Sequence, residues 1–278
     1  ATASNAPGFP ATWFGEEIVR YSVAPMLTDE EQRAFSEKYG MGMNGANLLT
    51  YLMQDSGYSD GFLLGAARTL DDFERMAEDG WMPADVWYSH NGHGPLNTGE
   101  YDGWYDDPMA AIMHNFGENP QAGLTFFTES TADGWNRQDY YFDEREWKAD
   151  GYAGISHAAL GIGTDETNLT NDPEATTGLV SNFFAGVADS DGFNSDDATA
   201  ASPYIADLLK FYMPAVDHAL VNGPDDGDAG VITDFNVEHL GGFEFYPRMF
   251  KGDLDALMEV AMSTTGGTES IAEGIAAY

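Results

Sequence analysis

Apolar residues along this chain recur in short stripes at helical spacing, and several stripes are announced by a small polar residue followed by proline. Met109, Ile112, Met113 and Phe116 fall at i, i+3, i+4 and i+7, the set that shares one face of an α-helix. Ahead of them, Asp107-Pro108 puts an N-cap acceptor before a proline at the first helical position, where a missing N–H does no harm. Gly117 is expected to end that helix. Asn119-Pro120 opens the next, with Leu124 and Phe127 on one face and Phe126 beside them. The device recurs at Asp172-Pro173 and at Ser202-Pro203. The latter leads into a stripe of Ile205, Leu208, Leu209 and Tyr212 before Pro214 interrupts or kinks the helix.

Other start and stop signals agree. Thr28 with Glu31 forms a capping box, and Thr69 precedes "LDDFERMAEDG", which closes on Gly80. "GANLLTYLMQDSG" and "SDGFLLGAARTL" have helical spacing, and Leu254, Leu257, Met258 and Ala261 line one stripe near the end. Only "GVITDF" reads as a short strand. The pattern predicts an all-α fold, a single globular domain over 1–278 with about ten short helices. Residues 1–27 are expected to form an extended N-terminal segment, and 81–106 and 222–248 long loops rich in Gly, Asp and aromatics.

Charge changes this picture most. Asp and Glu number 47 against 11 Lys and Arg, a formal net charge of −36, and the only lysines are Lys38, Lys148, Lys210 and Lys251. A field of that sign repels nucleic-acid phosphates and anionic membranes, so a nucleic-acid partner is not expected. It favours cations, a salty or extracellular setting, or a basic protein partner. Like charges oppose the compact state, and salt should relieve that by screening. With no cysteine, disulfides and thiolate metal sites are excluded. No run of about 18 apolar residues marks a membrane span, so membrane insertion is not expected.

Candidate chemistry is sparse. "HNGHG" places His90 and His93 three residues apart with Asp102, Asp106 and Asp107 downstream, residue types that ligate transition metals. "DSDGFNSDD" (189–197) and "DDGDAG" (225–230) resemble calcium loops in composition. Asp189, Asp191, Asn194, Asp225, Asp226 and Asp228 are the candidate calcium ligands, but Phe193 occupies a ligand position and neither loop has the closing bidentate Glu. His114 and His157 sit on apolar stretches and read as core or boundary residues. Asn168, Leu169 and Thr170 match a glycosylation acceptor. No GxSxG and no phosphate-binding glycine loop is present.

"DPMAAIMHNFGENPQAGLTFF", "YYFDEREWKADGYAGISHAALGIGTDET" and "SPYIADLLKFYMPAVDHAL" together resemble a helical domain of unknown function. That domain occurs in actinobacterial proteins of the WXG-type, type VII secretion and polymorphic-toxin architectures. Asp107-Pro108, Asn119-Pro120, Phe126-Phe127, Arg145 with Trp147, Leu160-Gly161 and Ser202-Pro203 carry the likeness, in the family's order, and it covers the chain from about residue 40 to the end. The chain departs from the family in its acidity, in Glu144 where the family has Asp, and in its "SHNGHGPLNTGEYDGWYDD" segment. The resemblance implies a secreted or secretion-associated helical module, and brings no catalytic residues with it. Two functions are therefore expected: a non-catalytic scaffold or interaction module with a protein partner, or a metal-dependent hydrolase built on the His90/His93 loop. Arg145 is expected to be held by a neighbouring carboxylate, with Trp147 packed in the core.

Overall fold

The computed structural model describes Met53 and residues 57–75, 107–131, 134–222, 227, 229–233 and 245–278. Among them the fold is all-α, with ten α-helices and one two-stranded ribbon. The chain groups into two compact units, Ala1–Asn115 and Phe116–Tyr278. The signals at Thr28, Glu31 and Gly80, and the expected segment 1–27, lie outside the described residues.

In the first unit, α1 (Asp60–Arg75) is one continuous helix. Its start is marked by Ser59, whose carbonyl accepts from Leu63 N at 3.1 Å and whose hydroxyl accepts from Phe62 N at 3.4 Å. The sequence reading of Thr69 as a fresh start is corrected: Thr69 Oγ1 donates to Gly65 O at 2.9 Å inside the helix. A threonine satisfied one turn back need not leave the helical path. Phe62, Leu63, Ala66, Ala67 and Leu70 form the buried face.

The helix α2 (Pro108–Glu118) begins in this unit as its sequence predicts. Buried Asp107 accepts from Met109 N at 3.0 Å and Ala110 N at 3.2 Å, satisfying two of the donors a helix start leaves open. Met109, Ile112 and Met113 are fully buried. Buried Asn115 donates to Met53 O and Ala111 O, both at 2.9 Å. The last turn of α2 enters the second unit.

There α3 (Pro120–Thr128) follows at once, and Phe116, Phe126 and Phe127 meet ring to ring, 5.3 to 6.5 Å between centroids. A π-helical turn, Asp139–Glu144, leads to α4 (Ala153–Thr164), α5 (Glu166–Asn171) and the long α6 (Pro173–Asp189). Then come α7 (Ser202–Phe211) and α8 (Met213–Asn222), broken at Tyr212 just ahead of Pro214, as the proline predicts. Strand β1 (Val231–Ile232) pairs antiparallel with β2 (Tyr246–Pro247), and α9 (Lys251–Ala261) and α10 (Thr265–Ala277) close the chain.

The core of this unit is built around α7, which packs on α4, α9 and α10, and α6, which packs on α4, α9 and the π-helical turn. Ile205, Leu208, Leu209 and Tyr212 are fully buried. The β1–β2 ribbon lies against α6, where Ser181 Oγ donates to Arg248 O at 2.7 Å and accepts from Gly230 N at 2.9 Å. That anchor explains why the short "GVITDF" run pairs as strand in a helical protein.

Two further sequence readings are corrected. Ser202 does not cap α7; it is its first helical residue, and its hydroxyl bonds Ala261 O and Thr264 Oγ1, both at 2.8 Å, tying α7 to the α9–α10 junction. Gly117 does not end α2, which runs on to Glu118. It lies instead where α2 and α4 touch, its missing Cβ occupied by the ring of His157.

Candidate functional site

The sequence-predicted calcium loop has a structural job in this fold. Gly151 (φ 57°) and Tyr152 (φ 63°) both take the left-handed conformation just ahead of α4, which is unfavourable for tyrosine and needs support from its surroundings. The support comes from 189–197. Ser190 Oγ lies 2.6 Å from Tyr152 Oη, Phe193 packs edge-on to the ring at 5.4 Å, and a Cβ on Gly192 would meet Tyr152 Oη at 2.8 Å. Phe193 is therefore a core anchor, which accounts for its standing where an oxygen ligand would belong. Asn194 Oδ1 accepts from the backbone N–H of Asp196 and Asp197, both at 3.0 Å, and its amide donates to Asp197. Asp189 and Asp191 are exposed.

The carboxylates instead act on one another between elements. Asp253, in the first turn of α9, is pushed up to about 6 by burial and by the charge of Asp189. Asp143 is raised by burial, then by Asp189 and Asp139. Among the described residues, no three His, Cys, Asp or Glu side chains converge to hold a metal ion. His90, His93, Asp102, Asp106, Asp225, Asp226 and Asp228 lie outside the described residues.

The raised Asp253 predicts a pH dependence. Its ordinary value is 3.8; between there and about 6 the unfolded chain releases a proton that the folded chain keeps. Stability is thus highest with respect to this group below pH 3.8 and falls as pH rises to about 6. Asp253→Asn should raise the melting temperature at neutral pH by the equivalent of about 1 kcal/mol, the half-exposed position being screened by solvent. At acid pH the two proteins should melt alike. A variant no more stable than wild type at neutral pH would refute the electrostatic account.

The other residues singled out by sequence have structural surroundings. Trp147 is fully buried, and the buried Arg145 guanidinium stacks 3.9 Å above its ring. His114 is buried, and His157 stacks on Tyr204 at 4.7 Å with Nε2 3.5 Å from Glu118. Asn168 is buried, and its amide donates to Pro120 O at 3.2 Å and Ile162 O at 3.3 Å. The glycosylation match is thereby corrected, since a glycan needs that nitrogen accessible.

Two concavities in the second unit assemble from residues that the sequence reading did not single out as a site. One is a groove of about 680 Å³ between the end of α4, α7, the start of α8 and the end of α10, lined by Leu160, Phe211, Met213, Pro214, Ala277 and Tyr278 among others. Carboxylates stand along it: Asp207 accepts from Ser270 Oγ at 2.5 Å, Glu273 pairs with Lys210 at 2.6 Å, and Asp217 accepts from Tyr278 Oη at 3.2 Å. The other is a cleft of about 500 Å³ between the end of α3, residues 129–131 and 134–138, and α6. The only signal for it in the sequence is "WNRQ", an aromatic residue followed by two amides and a cation. Comparison with protein-family models, with curated proteins and with solved structures finds no match to this chain.

Proposed function

We propose that this chain is a non-catalytic helical interaction module of a secreted or secretion-associated protein, and that its partner is a basic protein segment with one apolar face. The observation that carries the reading is the groove on α4, α7, α8 and α10. All the large apolar side chains exposed among the described residues, namely Phe211, Leu220, Val221, Met262, Ile275 and Tyr278, belong to the last four helices and their ends. Two of them, Phe211 and Tyr278, line the groove. Contiguous apolar surface with a polar rim is characteristic of an interaction site. The net charge of −36 selects the occupant: a second copy would bring the same charge and be repelled, whereas a basic amphipathic helix satisfies apolar floor and acidic rim together.

The test compares two fluorescent peptides of equal positive charge, an amphipathic Leu/Lys helix and a Ser/Lys peptide without an apolar face. The amphipathic peptide should bind more tightly at moderate salt, and Phe211→Ser should weaken it by roughly tenfold, about 1.4 kcal/mol, while leaving the Ser/Lys peptide unaffected. Equal affinities for the two peptides, or indifference to Phe211→Ser in a variant that melts normally, would defeat the proposal.

A further inference from the structure

We propose that Asp191-Gly192 is a site of spontaneous modification, where the main chain converts to an isoaspartyl linkage, and that the conversion loosens the turn that holds Tyr152. The chain carries its own control for this chemistry. "SDGF" occurs twice, at 59–62 and at 190–193, so the residues on either side of the two Asp-Gly bonds are the same and a difference in their reactivity comes from the fold. Both aspartates are exposed. At the first copy, Ser59 O accepts from Phe62 N at 3.0 Å and from Leu63 N at 3.1 Å, and the bonding runs on into the 16 residues of α1. At the second, Phe193 N donates to Ser190 O at 2.9 Å and closes a single turn, with Asp191 and Gly192 as its two central residues. Among the described residues, neither the Asp191 carboxylate nor the Gly192 N–H makes a hydrogen bond.

Isomerisation begins when the Gly192 nitrogen attacks the protonated γ-carboxyl of Asp191. An N–Cγ bond forms, a Cγ–O bond breaks, and the departing hydroxyl leaves as water with the amide proton, giving a five-membered succinimide. Water then opens the ring at the α-carbonyl, breaking the original peptide C–N bond, so that the chain runs on through the side-chain methylene and an α-carboxylate is released. The two steps lose and regain one water, and nothing else is consumed. Glycine puts no side chain beside the attacking nitrogen. The attack also needs rotation about the aspartate Cα–C bond. At Asp60 that rotation breaks both bonds to Ser59 O and unwinds the first turn of α1, whereas at Asp191 it breaks one bond. A third pair, Asp150-Gly151, is protected differently: Asp150 is buried, and its Oδ2 accepts from Gly154 N at 2.7 Å. The place of the reactive pair gives the modification its consequence. Ser190 Oγ, 2.6 Å from Tyr152 Oη, and the Phe193 ring, 5.4 Å from that of Tyr152, stand on either side of it. An added main-chain carbon between these two anchors changes their spacing, and Tyr152, left-handed at φ 63°, loses the support that offsets its strain.

The test ages the full chain at mildly acid pH and physiological temperature, in buffer and in parallel in concentrated urea. Isoaspartate is then mapped peptide by peptide with a protein isoaspartyl methyltransferase and by electron-transfer dissociation. In buffer it should accumulate several times faster at Asp191 than at Asp60 or Asp150. In urea the two "SDGF" copies should react alike, because the fold no longer distinguishes them. The isoaspartyl form, separated by ion exchange, should melt below the fresh protein. Asp191→Glu, whose longer side chain would have to close a six-membered ring, should fold normally and keep its melting temperature on ageing. Equal rates at Asp60 and Asp191 in buffer, a difference between them that persists in urea, or an isoaspartyl form that melts like fresh protein would overturn the proposal.

Discussion

Trp147→Ala is expected to destabilise the second unit by about 3–5 kcal/mol, the range for emptying a buried aromatic site. Trp147 is 0% exposed, its Nε1 donates to Tyr141 O at 2.9 Å, and its ring stands 6.0 Å from that of Tyr141. The Arg145 guanidinium lies on its face at 3.9 Å. Truncation therefore opens a cavity, strips a buried carbonyl of its donor and removes the stacking surface of a buried cation, all of which act in one direction. Trp147→Phe should lose less, because the ring contacts survive while the hydrogen bond does not. Urea denaturation measures both variants, and an alanine variant within 1 kcal/mol of wild type would show that the site collapses around the loss.

The second large effect comes from removing nothing at all. A methyl group added at Gly161 would be driven into the backbone carbonyl of Gly117 and to 2.8 Å from Gly117 Cα. Both are helical main-chain atoms, so only a separation of α2 and α4 can relieve the clash. Gly161→Ala should accordingly cost about 1–3 kcal/mol or more, although alanine is the better helix former. Gly178→Ala, in α6, is the matched control: there the new methyl meets only Val231 Cγ1 at 3.8 Å. It should be neutral or stabilising by up to about 1 kcal/mol. The same sign of change at both positions in thermal melts would remove the close-approach argument.

The acidic surface sets the electrostatics of the whole molecule, and Asp253 shows its local form. Burial and Asp189 act together on one carboxyl there, in a protein with too few cations to pair more than a fraction of its acids. Beside the apolar floor of the groove, Asp207, Glu273 and Asp217 each hold a hydrogen bond or ion pair within the last helices.

The amino-acid sequence by itself determined the helical elements, because an apolar stripe and its start signal are local properties. Asp107 caps α2 through bonds two and three residues away, Pro214 breaks α7 from α8 within its own turn, and the buried stripes of α2 and α7 repeat at the helix's own period. Trp147, which stands in no apolar stripe, was expected in the core beside Arg145 and is fully buried there. Tertiary structure alone decided what Gly117, Thr69, Ser202 and Asn168 do, since an identical local signal serves two purposes. A glycine near a helix end permits either termination or the approach of another helix, and α4 decided for the second at Gly117. A serine before proline is a cap unless something else takes its hydroxyl, and the α9–α10 junction, about sixty residues away in sequence, takes that of Ser202. The acidic loop 189–197 had a calcium-like composition, yet its shape follows from the need to hold Tyr152 in a left-handed turn. The groove has no local signature because it is lined by segments far apart in the chain, and a concave surface exists only once those segments have packed.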